Sequence, residues 1–584
     1  MKISGSSLLV KMLESNGTRY VFGVPGGHLL KFYDSLLDSS ITPILTKHES
    51  GASFMATGYA QVSGKFGVCT GTVGPGATNL TTGVASAYMD SIPLLVITAQ
   101  VGTSAVGKGG LQEATGEGRT VDHVEIFDGM TKYSTRVFSA SKLREAFRNA
   151  ARVAVNGRPG PTHLDVFTDV FAAEIEIKEG ALSEKNDRYS LSGESEAIVK
   201  AAELLLSSRN PAILAGAGAM EASEEILRLA ETFCIPVATT LRGKGVLPED
   251  HDLCMGCVGL YGTNVANKYL RSKIDVLLAI GTSLGEFTTH YWDPRFQPST
   301  ALIQVDVDSW EIGKNYPVSV GIVGHSRQVL RKLLDEMKTR RRKSTLCDTK
   351  KIAEMKKQRE YFSDPKMTSK DSPLKPQRLV KALRDLLPRD TIVFGDIGNT
   401  LTWIESLFEV YQPNTFFVCS SLASMGYGVA ASIGGQLAVP DKHVVCMCGD
   451  GDFQMQGMEV VTAVNYNIPV KWFIFNNQAL AMIRDIQDNV FKGRRVSSDL
   501  VNPDFVKLAE AMGAVGYRIQ KPSEIETTVK EALSNDRPTV VDCQIDPHEV
   551  PSFDARAEAI VRAMGISSPL STKLKYIPEL LKRR

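Results

Sequence analysis

Two short apolar runs near the C-terminal end constrain this fold more than any other feature. His443–Cys448 ends in Gly449–Asp450–Gly451, and Val470–Phe475 ends in Asn476–Asn477. Apolar runs of this length, each closed by a turn of glycine or asparagine, predict strands covered on both faces, as in a parallel sheet. Both turns then emerge at one carboxyl edge, where ligands bind. The edge brings together one carboxylate, Asp450, and one amide oxygen, Asn477, 27 residues further along the chain. That pair suits a hard cation such as Mg²⁺, completed by phosphate oxygens and a backbone carbonyl, for which Ala479 is placed. Gly449 and Gly451 let backbone approach a diphosphate closely. A lone Gly-Asp-Gly turn is common; the spacing and the flanking strands give this one its meaning.

The same alternation of strand and helix recurs along the chain. Tyr20–Val24, Gly67–Thr70, Leu94–Thr98 and Thr162–Val166 read as strands of a first block, with Gly-rich turns at Pro25–Gly27 and Gly71–Gly76. A polar stretch, Lys178–Glu194, precedes a second block with strands Pro211–Leu214, Val276–Ile280 and Leu302–Val305. A third block holds Thr391–Phe394, the two runs above and Thr539–Cys543. The expected class is α/β, with three doubly wound parallel-sheet domains. The first and third blocks read as related architectures. The expected boundaries are 1–177, 195–337 and 378–550, with a linker at 338–377 and a tail at 551–584.

Composition narrows the function. Lys plus Arg total 66 against 65 Asp plus Glu, so the net charge is +1 and the chain is not built to coat nucleic acid or a membrane. The basic run Arg340–Lys343 lacks interleaved aromatics and reads as part of a solvated linker. Nine scattered cysteines form no disulfide framework and read as reduced and packed; Cys254 and Cys257 have no second pair to complete a zinc site. No signal peptide or membrane-length apolar run is visible, which predicts a cytoplasmic protein.

The pattern from Gly449–Asp450–Gly451 to Asn476–Asn477 resembles the thiamine-diphosphate motif, and the resemblance spreads over nearly the whole chain. The first block is similar to the pyrimidine-binding domain of the acetolactate synthase superfamily. The matching stretches are Phe22–Gly27, His48–Ala52, Gly74–Asn79, Ala87–Pro93 and Gln112–Glu113. The implied domain order is pyrimidine-binding, central and diphosphate-binding.

The resemblance assigns roles. Glu49 matches the glutamate that hydrogen-bonds the aminopyrimidine nitrogen and activates the cofactor. Gln112 matches a glutamine facing the reaction centre, a donor to a developing oxyanion. Gly26 and Gly27 would bring backbone near the thiazolium and substrate. Met425, in Ser424–Met425–Gly426, matches the apolar wedge under the bent cofactor. Cofactor contacts are further implied at Pro25, Thr72, Gly76, Asn79, Asp396, Gly398, Asn399, Thr400, Ser424, Gly449, Gly451, Asp452 and Met482, with Asp450, Asn477 and Ala479 holding Mg²⁺. Family members often carry Gln-His where this chain has Asn399–Thr400. His28 and His123 are further acid–base candidates. No adjacent His-His pair occurs in the first block, which speaks against a pyruvate decarboxylase.

Two departures bear on the specific reaction. Flavin-containing synthases carry Arg-Phe-Asp-Asp-Arg after a glycine where this chain reads Gly281–Thr282–Ser283–Leu284–Gly285, yet Asp306–Lys314 resembles the flavin-domain segment that follows. FAD in a structural role is left open. After Asn477 the chain has Leu480–Ala481–Met482–Ile483, with Ile486 at the usual tryptophan position in the substrate channel. Gly109–Ala114 and Val318–Ile322 are similar to sulfoacetaldehyde acetyltransferase, which transfers acetyl to phosphate. The leading expectation is a carboligase that decarboxylates a 2-keto acid, pyruvate first, and adds the remainder to a second carbonyl compound; the alternative is acyl transfer to phosphate or another lyase of the superfamily. The resemblance also implies a homodimer or homotetramer, with Glu49 and Asp450 meeting across an interface, and allows a regulatory small subunit.

Overall fold

The computed structural model describes residues 2–176, 188–272, 274–340, 350, 352–354 and 364–551. Within them lie three six-stranded, all-parallel sheets covered by helices. The N-terminal sheet runs, edge to edge, Thr42–Leu45, Tyr20–Gly23, Gly67–Gly71, Leu94–Gln100, Thr162–Phe167 and Ser134–Val137. The C-terminal sheet runs Phe416–Val418, Ile392–Gly395, Val444–Gly449, Lys471–Asn476, Thr539–Gln544 and Val515–Ile519. Numbered along the chain, both have strand order 2-1-3-4-6-5. The relation between the first and third blocks is therefore one of topology. The central sheet is Cys254–Cys257, Val237–Thr239, Pro211–Ala215, Val276–Ile280, Ala301–Asp306 and Val320–Val323. Its order is 3-2-1-4-5-6, that of dinucleotide-binding folds.

The interior strands are the ones the apolar runs announce. Leu94–Gln100 and Thr162–Phe167 are buried at every position because helices cover both faces. The edge strands escape such reading. Thr42–Leu45, Ser134–Val137 and Val515–Ile519 are half-buried and carry Thr, Ser or Arg. A short antiparallel pair, Lys2–Ser4 with Glu174–Glu176, closes the N-terminal unit.

Each strand order has a switch point, a crevice where connections leave to opposite sides. In the N-terminal sheet it lies between Tyr20–Gly23 and Gly67–Gly71, so residues 24–28 and 72–76 flank it. In the C-terminal sheet it lies between Ile392–Gly395 and Val444–Gly449, flanked by 396–400 and 450–452.

The outer units pack through two helices, Glu49–Ser63 and Tyr427–Ala438. Their backbones touch at paired glycines. A Cβ at Gly58 would stand 2.0 Å from the Ala431 carbonyl oxygen, and one at Gly434 would stand 1.9 Å from that of Met55. One apolar core runs through both units. The backbone amides of Lys47 and His48 donate to Glu459, and Tyr427 donates to Gln61.

The segment 338–377 starts as the end of helix Ser326–Arg340, and its last stretch packs on the C-terminal unit, with Leu374 fully buried. Arg340 pairs with Glu203 and Glu336; residues 341–343 lie outside the described residues, as do 552–584 of the tail and 178–187 of the first polar stretch. Among the described residues, seven cysteines are buried free thiols, but Cys234 is disulfide-bonded, which corrects the all-thiol expectation at that position. Among the described residues, no helix is long and apolar enough to cross a membrane.

Candidate active site

At the C-terminal edge, Asp450 opens the helix Asp450–Gln456 and is buried. Its Oδ2 accepts the Gln478 amide at 2.7 Å and Asn502 Nδ2 at 2.7 Å, and its Oδ1 accepts the Gly451 amide at 2.9 Å. Burial still pushes its carboxyl above the ordinary range, against those hydrogen bonds. Asn477 follows the neighbouring strand, and its Oδ1 is a buried acceptor without a hydrogen-bond partner. Gln478 is in the left-handed region at φ 56°, which turns the chain so that Ala479 bridges to Asp499. An unpaired buried oxygen beside a buried carboxylate is a fitting donor set for a hard cation. Among the described residues, no group of three His, Cys, Asp or Glu could hold a metal. An Asp–Asn–carbonyl set falls outside such a group by its chemistry.

Around this pair, Met425 reaches over Gly451: a Cβ on that glycine would lie 3.3 Å from Met425 Cε. Gly398, at φ 82°, caps the helix Asn399–Leu407. Asp396 is fully buried and accepts the amides of Ile397, Gly426 and Gly428 at 3.0, 3.0 and 2.8 Å. It ties the 396–398 loop to the Met425 loop, and burial raises its carboxyl to about 7. Asp452 accepts the Gly449 amide at 2.8 Å; burial and the charge of Asp396 push it upward too. Thr400 is buried beside Gly449. The Asn399 amide donates to Asp485 at 2.7 Å, so this side chain anchors the helix Ala481–Asn489, which carries half-buried Met482. Ser424 shares a 2.9 Å hydrogen bond with Ser86 of the N-terminal unit.

At the N-terminal edge, Glu49 is the first residue of its helix, capped by His48. Asn79 Nδ2 donates to Glu49 Oε2 at 3.0 Å, and a Cβ at Gly76 would lie 3.3 Å from Oε1. Thr72 separates Gly26 from Gly76, and its Oγ1 is buried without a partner. A side chain at Gly26 would strike Thr72, whereas Gly27 faces open space, and Pro25 is exposed. Gln112 is exposed and held at φ 64°, backed by Gly74. Glu113 fixes that loop by accepting the amides of Gly107, Gly109 and Gly110 and the Thr115 hydroxyl, which hold its carboxyl below the ordinary range. His28 is half-buried, with its pKa lowered by burial. His123 is fully buried with both ring nitrogens engaged, so it touches no ligand space.

A cavity of about 550 Å³ opens at the switch point of the central sheet. Gly216, Gly218 and Gly281 interlock there, with a Cβ at Gly216 only 2.2 Å from the Gly281 oxygen. Arg158 crosses from the N-terminal unit to Glu311 at 2.8 Å, and His325 lines the wall with a buried, unpartnered Nε2.

Sequence reading missed Asn502, which bridges Asp450 and Asn476, and Asp485. Both act through distant loops, and neither lies in a glycine turn after a strand.

Three family patterns match the chain in order. "Thiamine pyrophosphate enzyme, N-terminal TPP binding domain" matches residues 3–123, the "central domain" of the same enzymes matches 198–333, and the "C-terminal TPP binding domain" matches 396–543. The chain is 41% identical over 562 residues to the probable acetolactate synthase large subunit of Methanocaldococcus jannaschii, covering 94% of this chain and 93% of that protein. It is 35% identical over 555 residues to the acetolactate synthase large subunit of Corynebacterium glutamicum, covering 93% and 86%. It is 32% identical over 557 residues to the acetolactate synthase isozyme 3 large subunit of Escherichia coli, covering 94% and 96%.

Proposed function

Since this chain belongs to the thiamine-diphosphate-dependent acetolactate synthase superfamily, we infer that it decarboxylates a 2-keto acid and joins the retained carbon to a second carbonyl compound. It is a thiamine-diphosphate enzyme of the transferase class. Pyruvate is the proposed donor. The observation that carries the assignment of the site is the unpaired Asn477 oxygen beside Asp450. Asp450, Asn477 and the Ala479 carbonyl would hold Mg²⁺, and the cation would take the diphosphate charge.

Bound thiamine diphosphate supplies the electron sink for loss of CO₂. The chain's own groups prepare it. Glu49 is steered by Asn79, which occupies one carboxylate oxygen and leaves the other toward Gly76 for a ring nitrogen. Gly26, Gly27 and the orphan Thr72 hydroxyl line the same crevice. Gln112, exposed at the mouth of this crevice, would donate its amide to negative charge that develops on the substrate oxygen. Met425, reaching over Gly451, would support the bound cofactor, and the N-terminal amides of the Asn399–Leu407 helix, past Gly398, would be available to its diphosphate. Gly449, Gly451, Asp452, Thr400 and Met482 complete that wall. Asp396, Asn399 and Ser424 act one step back, by fixing loops. His123, with both ring nitrogens engaged, takes no proton-transfer role.

Two copies would complete the site by bringing one protomer's Glu49 edge to its partner's Asp450 edge. Leu111, Leu422, Met455 and Met458 are exposed apolar side chains near these edges and suit such burial. A homotetramer and a regulatory small subunit are extensions of that assembly. The central cavity would take FAD in a structural role: its strand order and the unpartnered His325 nitrogen fit a dinucleotide.

Incubation of the pure protein with pyruvate, Mg²⁺ and thiamine diphosphate tests the reading. Acetolactate and CO₂ are expected, and neither should form with Glu49→Gln. Acetyl phosphate from sulfoacetaldehyde and phosphate, without acetolactate, would move the protein to the acyltransferase branch.

A further inference from the structure

Behind the Glu49 crevice lies a buried polar chain that has no part in the chemistry proposed for Glu49. His123 and Asp165 are both fully buried. Asp165 accepts Thr98 Oγ1 at 2.8 Å, Arg136 Nε at 2.9 Å and Gln100 Nε2 at 3.2 Å. His123 Nδ1 lies 3.1 Å from Asp165 Oδ1, and its Nε2 lies 3.1 Å from the Gly74 amide nitrogen. A backbone amide only donates, so Nε2 accepts and the proton sits on Nδ1, which donates to Asp165. The tautomer is fixed from both ends. His163 continues the chain: its Nδ1 accepts Ser134 Oγ at 2.8 Å, and its Nε2 donates to Thr98 Oγ1 at 2.8 Å.

The network ends on two segments of the site. Gly74, at φ 72°, precedes the turn that sets Gly76 against Glu49, and Gln112 packs on its other side. Gln100 holds both the amide and the carbonyl of Ala114, at 3.1 and 2.8 Å, and Arg136 holds the Thr115 carbonyl at 3.0 Å. One carboxylate thus bears on the loop beside Glu49 and on the loop that carries Gln112. Gly74 takes its positive φ without strain, as glycine can, whereas Gln112 at φ 64° is a side-chain-bearing residue in left-handed backbone, which persists only where its surroundings over-determine it.

We propose that His123 and Asp165 are positioning residues, a fixed-tautomer pair that holds the Gly74 turn and the Gln112 loop in register with Glu49. The proposal rests on reading Glu49 as the activating carboxylate. It predicts that turnover depends on an acceptor at the His123 Nε2 position, not on the ring's charge.

The experiment compares His123→Leu, His123→Gln and Asp165→Asn in the full-length protein. Readouts are kcat and KM with Mg²⁺ and thiamine diphosphate present, and amide exchange of the peptide over residues 72–80, by mass spectrometry without cofactor. His123→Leu should lower kcat roughly tenfold or more by leaving the Gly74 donor unpaired, with KM little changed, and exchange at the peptide should quicken. His123→Gln, whose side-chain oxygen can accept, should recover most of both. In Asp165→Asn the carboxamide donates to Nδ1 and turns an N–H toward the Gly74 N–H, so it should behave like His123→Leu, and the double variant should be no worse than either alone. Unchanged kcat and protection in His123→Leu, beside an inactive Glu49→Gln, would sink the proposal alone. A fully active Glu49→Gln would sink it together with the reading it rests on. If His123→Leu does not fold, Asp165→Asn decides: unchanged kcat and protection there overturn the pair.

Discussion

Asn477→Ala separates a metal ligand from an ordinary loop residue by the sign of two effects. In the protein without cation, Asn477 Oδ1 is a buried acceptor with no partner. Such an atom costs roughly 1–3 kcal/mol. Truncation removes that cost and loses a few packing contacts, so the cation-free protein should hold its stability or gain about 1 kcal/mol. The loaded protein should behave oppositely. At a ligand concentration about a hundredfold above Kd, binding stabilises by about 2.7 kcal/mol. A complex weakened about a hundredfold retains only about 0.4 kcal/mol of this. At about 2–4 °C per kcal/mol, the shift in Tm on adding Mg²⁺ at fixed thiamine diphosphate should shrink by about 5 °C or more. Scanning fluorimetry over a Mg²⁺ titration reads both quantities on one sample. A cation-free variant that melts lower than wild type, with an undiminished Mg²⁺ shift, would refute the assignment.

Gly58→Ala should destabilise by about 3 kcal/mol or more in thermal melts, because a new methyl 2.0 Å from the Ala431 oxygen must push the paired helices away from each other. The gain of about 1 kcal/mol in helix propensity is too small to offset this. Glu405 is buried with its pKa raised to about 8 by desolvation, against Lys244. Its folded state binds the proton more tightly than the unfolded chain, so the stability it contributes is complete below the ordinary glutamate value of 4.5 and is lost as pH rises through about 8. Glu405→Gln should flatten that fall, and urea melts at about pH 4.5, about pH 6 and about pH 9 should show the variant's margin over wild type growing from the first to the last. Met425→Ala should lower kcat more than it weakens cofactor binding, measured by turnover and by fluorescence titration, since its contact over Gly451 sets shape rather than charge.

The sequence exposes what is set by short-range chemistry. Interior strands such as Val444–Gly449 are apolar because both faces are covered, and the turns after them are glycine- or asparagine-rich because backbone must turn sharply at the sheet edge. Those two rules locate Asp450, Asn477 and the crevice at Gly74–Gly76. What they miss is set by tertiary packing. Asp485 holds Asn399 across 86 positions, and Asn502 reaches Asp450 across 52, from loops whose local pattern carries no sign of a partner. Edge strands such as Val515–Ile519 fail for the same reason, since half-exposed positions accept polar residues freely. His123 shows the limit most clearly. A histidine eleven positions after Gln112 allows an acid–base or a structural reading, and only burial with both ring nitrogens engaged favours the structural one.

The two outer sheets show how one topology holds unlike ends of a ligand. Both have order 2-1-3-4-6-5 and both open a crevice between their first and third strands. The N-terminal crevice offers one half-buried carboxylate, an orphan hydroxyl at Thr72 and bare backbone at Gly26 and Gly27, surroundings for a flat, largely neutral ring. The C-terminal crevice gathers Asp450, Asp452 and Asp396, all buried and all pushed upward in pKa by burial, with no basic side chain among the residues that flank them at 396–400 and 449–452. An anionic diphosphate entering such a place meets no positive side chain, so a cation that came with it would supply the neutralising charge. The balanced charge of the chain and the make-up of this crevice thus fit the proposed site: neutralisation would be delegated to a metal ion held by Asp450 and Asn477, and the protein would supply shape, amides and one unpaired oxygen.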